Sequence, residues 1–346
     1  LEIKKINYIT NSNSNPINIL NIKFLFFYLF NLIFNFFLSI FLFNKDRIIL
    51  DYIEQFVIYS IKWQHFIHTF SLKKYISYHD HGLEHIIRNF FLKRSGCRTF
   101  HYKHTFAENI YEKEKNYNHH LYGYLNYDLE FHWGEKSILM SKQDKSLSRK
   151  FVSVGPLINQ YLKTKKIKKN IFTITFFTSQ LGTSNSISNE RNHELFLDYI
   201  LKIKNINKIK INLKTKYKIK QIKKNYNNIY RKISMLNKFR NITITDSLPA
   251  EKLVINSDII FSMPFSSTTI EGIFNNVPSF YVDANNQFDN IFYKKNKIYL
   301  TKYHQVKNKI LLLKNKKKLV AINFKKIKRK IFNFKSISHD RIKDYF

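Results

Sequence analysis

The sequence predicts an α/β protein made of two parallel-sheet halves with a hydrophobic helix ahead of them. Short β-rich runs alternate with helical patterns from Ser71 onward, the signal of parallel strands joined by crossover helices. Residues 24–43 run without a charge between Lys23 and Lys45. The chain has 346 residues, 44% of them apolar, enough for two cores of ordinary size.

Twenty helical residues rise about 30 Å, the thickness of a bilayer core, so Phe24–Phe43 is long enough to span one. Its length, and the lack of a small-residue cleavage site after it, argue against a signal peptide. Tyr28, Asn31, Asn35 and Ser39 recur every three or four residues and line one face. Three placements fit that stripe: a helix lying in the membrane interface, a spanning helix packed along its polar side, or a buried core helix. Asp51–Phe70 reads as a second, amphipathic helix. The chain begins at Leu1 without an initiator Met and is read as open at that end.

Strands are predicted in the first half at Tyr75–Tyr78, Arg98–Tyr102, Leu129–His132 and Phe151–Val154, with a helix at Glu84–Lys93. Gly155-Pro156 marks a turn and Lys163–Asn170 a linker. The second half reads as strand Ile171–Thr178, helix Glu190–Lys202, strand Lys208–Lys214 and a basic helical stretch within Lys216–Lys238. Strand Asn241–Thr245, helix Ala250–Asn256, strand Asp258–Met263, helix Ser267–Phe274 and strand Ser279–Val282 complete it. Four or five strands in this pattern form a doubly wound sheet, which binds ligands beyond the carboxyl ends of its strands. The expected division is a membrane-associated helical segment (1–70), a short first α/β domain (71–162), a second (163–300) and a basic helical tail (301–346).

Lys and Arg number 59 against 24 Asp and Glu, a net charge of +35. A basic surface releases counterions when it meets phosphates, which invites a nucleic-acid reading. Lysine is spread along the chain, however, and travels with abundant Asn, Ile, Phe and Tyr and with only 7 Gly and 5 Pro. A codon bias toward A and T raises lysine in this way without selection for binding. No nucleic-acid partner is therefore expected. An anionic membrane surface is, since each Lys or Arg adds about 1 kcal/mol there. The one cysteine, Cys97, excludes an intrachain disulfide and a cysteine-based zinc site.

The densest chemical signal lies at Ser257–Gly272, SDIIFSMPFSSTTIEG. A buried strand runs into a hydroxyl-rich turn that opens a helix. Free backbone N–H groups with hydroxyls beside them make a phosphate cradle. Glu271, one turn inside, is placed to accept hydrogen bonds from ribose hydroxyls. The same residues suit an ordinary N-cap with an acid near the positive helix end. On the residues alone, both readings stand.

Followed by Asn275-Asn276-Val277-Pro278-Ser279-Phe280-Tyr281-Val282-Asp283, this segment resembles the donor-binding half of GT-B glycosyltransferases. The likeness is to bacterial enzymes of surface-polysaccharide and lipopolysaccharide assembly, where a strand reading sDiiiS.P.SST, a Glu-bearing helix and gvPsi.yd follow in that order. Val154-Gly155-Pro156-Leu157 and Trp133-Gly134 are similar to further family motifs, so the resemblance covers roughly residues 75–285. Asn275-Asn276 depart from it, standing where the family usually carries a glycine. The resemblance implies two Rossmann-like domains facing a cleft. Ser266, Ser267 and Thr268 would bind the donor phosphate and Glu271 its ribose. Ser179 and Gln180 would face the same phosphates, and Lys214 would add positive charge.

The first half offers His79-Asp80-His81-Gly82 at one strand end and Tyr102-Lys103-His104-Thr105 at the next. Acceptor activation needs a general base within hydrogen-bond reach of the attacking hydroxyl. Asp80 is the expected base, with His81 beside it. His104 matches the histidine of the family's QHG, with Thr105 in place of the glycine. His79, Asp80, His81 and His85 also have the donor types of a metal site, or simply line a polar loop; no metal is expected. The implied activity moves a sugar from a nucleotide-sugar donor to a surface polysaccharide or lipid-linked glycan, at the cytoplasmic face of the plasma membrane, without a cofactor. The helix N-terminus and nearby cations would stabilise the leaving phosphate. Alternatives are a polyol-phosphate transferase of the teichoic-acid type and a non-enzymatic basic scaffold binding membrane or nucleic acid.

Overall fold

The computed structural model describes residues 26, 29, 30, 33, 47–78, 83–103, 125–143, 145–155, 171–181, 189–264, 266–287, 291–315, 324–332, 342 and 345. The expected helix Phe24–Phe43 lies outside these residues except for Phe26, Leu29, Phe30 and Ile33, which are helical and exposed. No helix among the described residues is long and apolar enough to cross a membrane. The chain divides into two compact units. One comprises Leu1–Tyr102, His120–Glu130 and Asp144–Phe151; the other comprises Lys103–His119, Phe131–Gln143 and Val152–Phe346.

The amphipathic run of the sequence becomes helix α1 (Arg47–Thr69), followed by β1 (Lys74–Ser77), α2 (Leu83–Arg94) and β2 (Arg98–Tyr102). Its apolar stripe buries Trp63 and Phe66. Glu84 on α2 accepts hydrogen bonds from Trp63 Nε1 at 3.1 Å and Lys62 Nζ at 2.8 Å, which fastens the two helices. Arg88 lies over the Tyr75 ring at 4.9 Å and donates to the Tyr127 hydroxyl at 2.5 Å. A guanidinium stacks on rings without needing a carboxylate, so this buried cation braces α2 against β1. With β3 (Leu129–His132) and β4 (Phe151–Ser153) the first sheet has the order β1-β2-β3-β4, and β1 and β2 run parallel. Asp128, just before β3, takes hydrogen bonds from Thr99 N at 2.8 Å and Thr99 Oγ1 at 3.0 Å. Cys97 is a free, buried thiol, and burial pushes it up to about 11, far from reactive thiolate.

Helix α3 (Glu135–Gln143), absent from the sequence prediction, follows the Trp133-Gly134 turn. The second sheet then unfolds almost as the pattern dictates. Strands β5 (Phe172–Phe177), β6 (Ile209–Lys214), β7 (Ile242–Thr245), β8 (Ile259–Ser262) and β9 (Ser279–Val282) match the expected runs. Between them come α4 (Glu190–Ile203), α5 (Ile219–Asn225), α6 (Asn227–Leu236), α7 (Ala250–Ile255) and α8 (Ser267–Phe274). The basic stretch holds two helices because the backbone at Tyr226 leaves the helical region, with φ −139°. After α9 (Ile291–Lys295), a two-residue β10 (Tyr299–Leu300) adds a sixth strand, and α10 (Tyr303–Lys314) and α11 (Phe324–Phe332) follow.

The strand order is β10-β9-β8-β5-β6-β7, parallel at every pairing. Crossover helices bury both faces. On one, Phe176, Phe261 and Phe280 stack ring on ring at 5.2 and 5.7 Å, and Phe196 of α4 meets Phe176 edge-on. Each buried Phe contributes about 1.5–3 kcal/mol over an exposed one. On the other, α8 lies close enough that a Cβ on Gly272 would fall 2.0 Å from Ser279 Oγ and 2.9 Å from Ile260 Cδ1. Gly134 meets a similar limit, where a Cβ would reach Ile331 O of α11 at 2.1 Å.

At the end of α8, Asn276 takes the left-handed φ of +60°, with Val277 N bonded to Gly272 O at 2.8 Å and Asn276 N to Ile273 O at 3.2 Å. This is a Schellman end, and asparagine tolerates that backbone better than most residues. The departure from the family's glycine is thus absorbed.

Gly272→Ala should destabilise the protein by about 1–3 kcal/mol, because α8 must back off β9 to admit the methyl group. Urea unfolding measures it. Unchanged stability would mean that α8 packs less closely than described.

Candidate functional site

The order of the second sheet reverses between β5 and β8, and α/β sheets bind ligands at such a reversal, outside the carboxyl ends of the strands. The two strands finish level, Phe177 beside Ser262. Just beyond lie Ser179 and Gln180 on one side, and Met263 with the start of α8 on the other. Ser179 Oγ donates to Met263 Sδ at 3.9 Å. Ser179 is therefore brought beside Met263, whose carbonyl accepts from Ser266 N at 3.3 Å.

Thr268 Oγ1 lies 2.7 Å from Ser262 Oγ and 2.8 Å from Ser266 Oγ. Tyr281 OH donates to Ser266 O at 3.1 Å and holds the turn. Ser266 occupies the N-cap position with extended backbone, yet its side chain makes no capping hydrogen bond. Its hydroxyl is turned to Thr268 instead. The ordinary-cap reading fails for this residue, and the leading N–H groups of α8 are left without that cap, as an anion site requires.

Glu271 is only 3% exposed. Its Oε1 accepts from Ser267 Oγ at 2.9 Å, while Oε2 is buried with no hydrogen-bond partner among the described residues. Burial pushes the carboxyl up to about 7, against the opposing pull of Ser267. Glu251 adds to the rise, and the Lys216 charge counters it. An unmatched buried oxygen is costly, and a ligand hydroxyl would relieve it.

Lys214 ends β6 as predicted, but its Nζ donates to Asp246 O at 2.6 Å and Thr215 O at 3.3 Å. Burial lowers its pKa, partly offset by Asp246. Its ammonium holds the ends of β6 and β7 together. Lys216 is exposed, and its charge is felt at Glu271. Thr178 Oγ1 accepts from Lys216 N at 3.0 Å and Tyr217 OH donates to Leu181 O at 2.8 Å, drawing this loop to the end of β5.

Two further residues support the site, of which His193 gave no signal in the sequence and Asp283 gave one only as part of a motif. His193 on α4 reaches Ser179 O through Nε2 at 3.2 Å and Asn189 O through Nδ1 at 3.2 Å. Burial lowers its pKa against both bonds, so the ring is neutral and donates to one carbonyl at a time. Asp283, the last residue of the resembling segment, is fully buried; it accepts from Asn192 Nδ2 at 3.3 Å and Tyr299 OH at 2.8 Å. Its role is to tie β9 to α4 and β10.

Asp80, His81 and His104, with His79, lie outside the described residues. His85 is buried on α2. Among the described residues no group of His, Cys, Asp and Glu is placed to hold a metal ion. The first sheet does bury polar groups that its short strands did not advertise. Glu130 Oε1 accepts from Ser146 Oγ at 2.5 Å, and His132 Nδ1 lies 2.9 Å from Ser137 Oγ.

The polysaccharide biosynthesis PFTS motif family matches residues 33–310, most of the chain. The chain belongs to that family. No curated protein sequence matches this PFTS-family chain. Solved structures share its fold. A putative UDP-N-acetylglucosamine 2-epimerase from Listeria monocytogenes is 12% identical over 79% of this chain and 78% of its own, with a TM-score of 0.52. The UDP-GlcNAc 2-epimerase of Methanocaldococcus jannaschii, in complex with UDP-GlcNAc and UDP, is 15% identical over 85% and 81%, with a TM-score of 0.51. That of Neisseria meningitidis, bound to UDP-GlcNAc, is 11% identical over 76% and 73%, with a TM-score of 0.50. At such identities the likeness is one of fold, a parallel α/β chain with two sheets.

The Glu271 carboxyl generates a pH prediction. It ionises near 4.5 in the unfolded chain and near 7 in the folded one. The folded state thus keeps a proton that the unfolded state has lost. Its contribution to stability is full below pH 4.5 and declines as pH rises through 7. Glu271→Gln should flatten that decline by roughly 3 kcal/mol and gain stability over the natural chain at about pH 8. Urea unfolding across pH measures this. An unchanged slope would show that Glu271 is not the buried acid.

Proposed function

We propose that the protein transfers a sugar from a nucleotide-sugar donor to a surface-polysaccharide or lipid-linked glycan acceptor. The carrying observation is the half-matched Glu271 carboxyl, buried one turn inside an uncapped helix where the strand order reverses. A nucleoside diphosphate supplies what that place lacks. Phosphate oxygens would take the free N–H groups and the Ser266, Ser267 and Thr268 hydroxyls, and a ribose hydroxyl would donate to Glu271 Oε2. Ser179 and Gln180 would complete the phosphate contacts. Family membership and the fold shared with UDP-GlcNAc 2-epimerases support this reading.

In the transfer, the acceptor hydroxyl attacks the anomeric carbon as the bond to the departing phosphate oxygen breaks. Asp80 takes the acceptor proton, His81 tunes it and His104 positions the acceptor. Charge that grows on the leaving phosphate falls to the α8 N-terminus and Lys216, with Lys214 holding the loop behind. Residues 71–162 would serve the acceptor, 163–300 the donor, and 1–70 with the basic tail would keep the enzyme at the cytoplasmic membrane face.

A calorimetric screen of UDP-sugars, CMP-linked acidic sugars and CDP-polyols tests the donor. Binding of CDP-polyols alone would favour polyol-phosphate transfer. Glu271→Ala should weaken the bound nucleotide by about 1–3 kcal/mol. Lys216→Ala should weaken it without loss of stability, whereas Lys214→Ala should lower stability. Equal affinity in Glu271→Ala would end the ribose assignment.

Asp80→Asn should cut turnover by about 10²–10⁴, the range for losing a general base, with donor affinity hardly changed. His104→Ala should cost less. If Asp80→Asn keeps near-normal turnover while His104→Ala abolishes it, the two roles exchange.

A further inference from the structure

Residues 290–339 contain sixteen Lys and Arg and no Asp or Glu. At the chain-wide ratio of 59 to 24, about six acids would accompany them. The chain-wide ratio already carries any codon bias, so the segregation calls for its own explanation. This stretch supplies α9, β10, α10 and α11 to the second unit. Its two longer helices converge on one ring: Lys309 of α10 lies 5.7 Å from the Phe280 centroid, and the Phe324 ring of α11 also lies 5.7 Å from it. Lys295, Lys297, Lys302, Lys307, Lys325 and Arg329 are exposed.

The composition of the face selects its partner. α11 uses its apolar side for packing, with Ile327, Ile331 and Phe332 buried, and turns Lys325 and Arg329 outward. The last turn of α10 exposes Leu312 and leaves Leu311 and Leu313 half-buried between Lys309 and Lys314. Leucine among lysines suits the boundary of a bilayer, where the stem stays apolar and the ammonium reaches the headgroups. A sulfated or phosphorylated polymer offers leucine nothing. Fifteen of the sixteen cations are lysines, hydrated point charges suited to a diffuse anionic surface rather than to bidentate reading of single phosphates.

A second acid-free stretch, residues 199–245, holds fourteen Lys and Arg and, like Lys309 and Lys328 of the first, uses part of that charge in packing. Several of its cations serve the fold. Lys232 pairs with Asp198 at 2.5 Å, Lys204 covers the Phe239 ring at 4.0 Å, and Lys214 is bound to two carbonyls.

We propose that α10 and α11, with the lysines between α9 and α10, form an electrostatic docking face for an anionic lipid surface. The proposal deepens the membrane placement in the functional reading above and rests on it. Full-length protein is floated with vesicles of phosphatidylcholine, with and without phosphatidylglycerol, at low and high salt. The anionic vesicles should bind at least about tenfold more protein at low salt, and salt should reverse much of the difference. The variant K307E/K325E/R329E should lose most of that preference, and the neutral K307Q/K325Q/R329Q should lose part. K220E/K223E/K224E on α5 changes the net charge equally and should keep it.

Equal loss in the α5 variant would overturn the face in favour of bulk charge. Equal binding to both vesicle types would overturn the face while keeping the membrane placement, which residues 24–43 would then carry. Binding to neither would overturn both. Stronger capture by heparin or DNA than by anionic vesicles, with the same sensitivity to the α10 and α11 variants, would reassign the face to a soluble polyanion.

Discussion

The candidate site depends on a register pin at the foot of the second sheet. Asp258 Oδ2 accepts from Thr173 N, and Asp258 N donates to Thr173 O, both at 2.8 Å. These bonds fix β8 against β5 at their start, so the strands end level four residues later. A slip of one residue would turn every side chain to the opposite face. Phe176 and Phe261 would leave their stack, and Ser179 would no longer stand beside Met263. Asp128 holds Thr99 in the same manner in the first sheet. Both sheets are thus locked by a carboxylate placed just before a strand, bound to the second residue of its neighbour.

What the sequence revealed follows from how strongly each feature is written locally. The central strands were legible because runs rich in β-branched and aromatic residues, such as FTITFF at Phe172–Phe177, have few other places to go. β10 was not, since two residues carry no period. The hydroxyl turn at Ser266–Thr268 was visible because its residue types are unusual together. Lys214 and Lys216 look alike on paper, and only the position of Asp246 O separates a structural ammonium from an exposed one. His193 was hidden for a related reason: its partners are backbone carbonyls, which leave no mark in the residue pattern. The stretch ending in Asp283 drew attention as a motif, yet its acid holds the framework. His79, Asp80, His81 and His104 stand apart, since they fall outside the described residues.

Glu271 and the basic helices illustrate opposite uses of charge. Glu271 is held where burial makes its ionised form expensive, and at neutral pH the fold bears that expense at a place where a ligand could relieve it. The exposed cations of α10 and α11, Lys307, Lys325 and Arg329 among them, cost the fold little because they stay in water. Their effect is long-ranged and screened by salt, whereas that of Glu271 is local and governed by contact.

The helix at the far end of the chain is part of the core and not an appendage. α11 sets the Phe332 ring 5.2 Å from Phe274 and places Phe332 O within 3.4 Å of Ser153 Oγ. Lys328 caps the Phe274 carbonyl, and the backbone passes so near Gly134 that no side chain fits there. Anyone trimming the protein for crystallisation or expression therefore meets a hard stop. A chain cut after α10 would strip the cover from the Trp133-Gly134 turn and from the end of α8, and would be prone to aggregate.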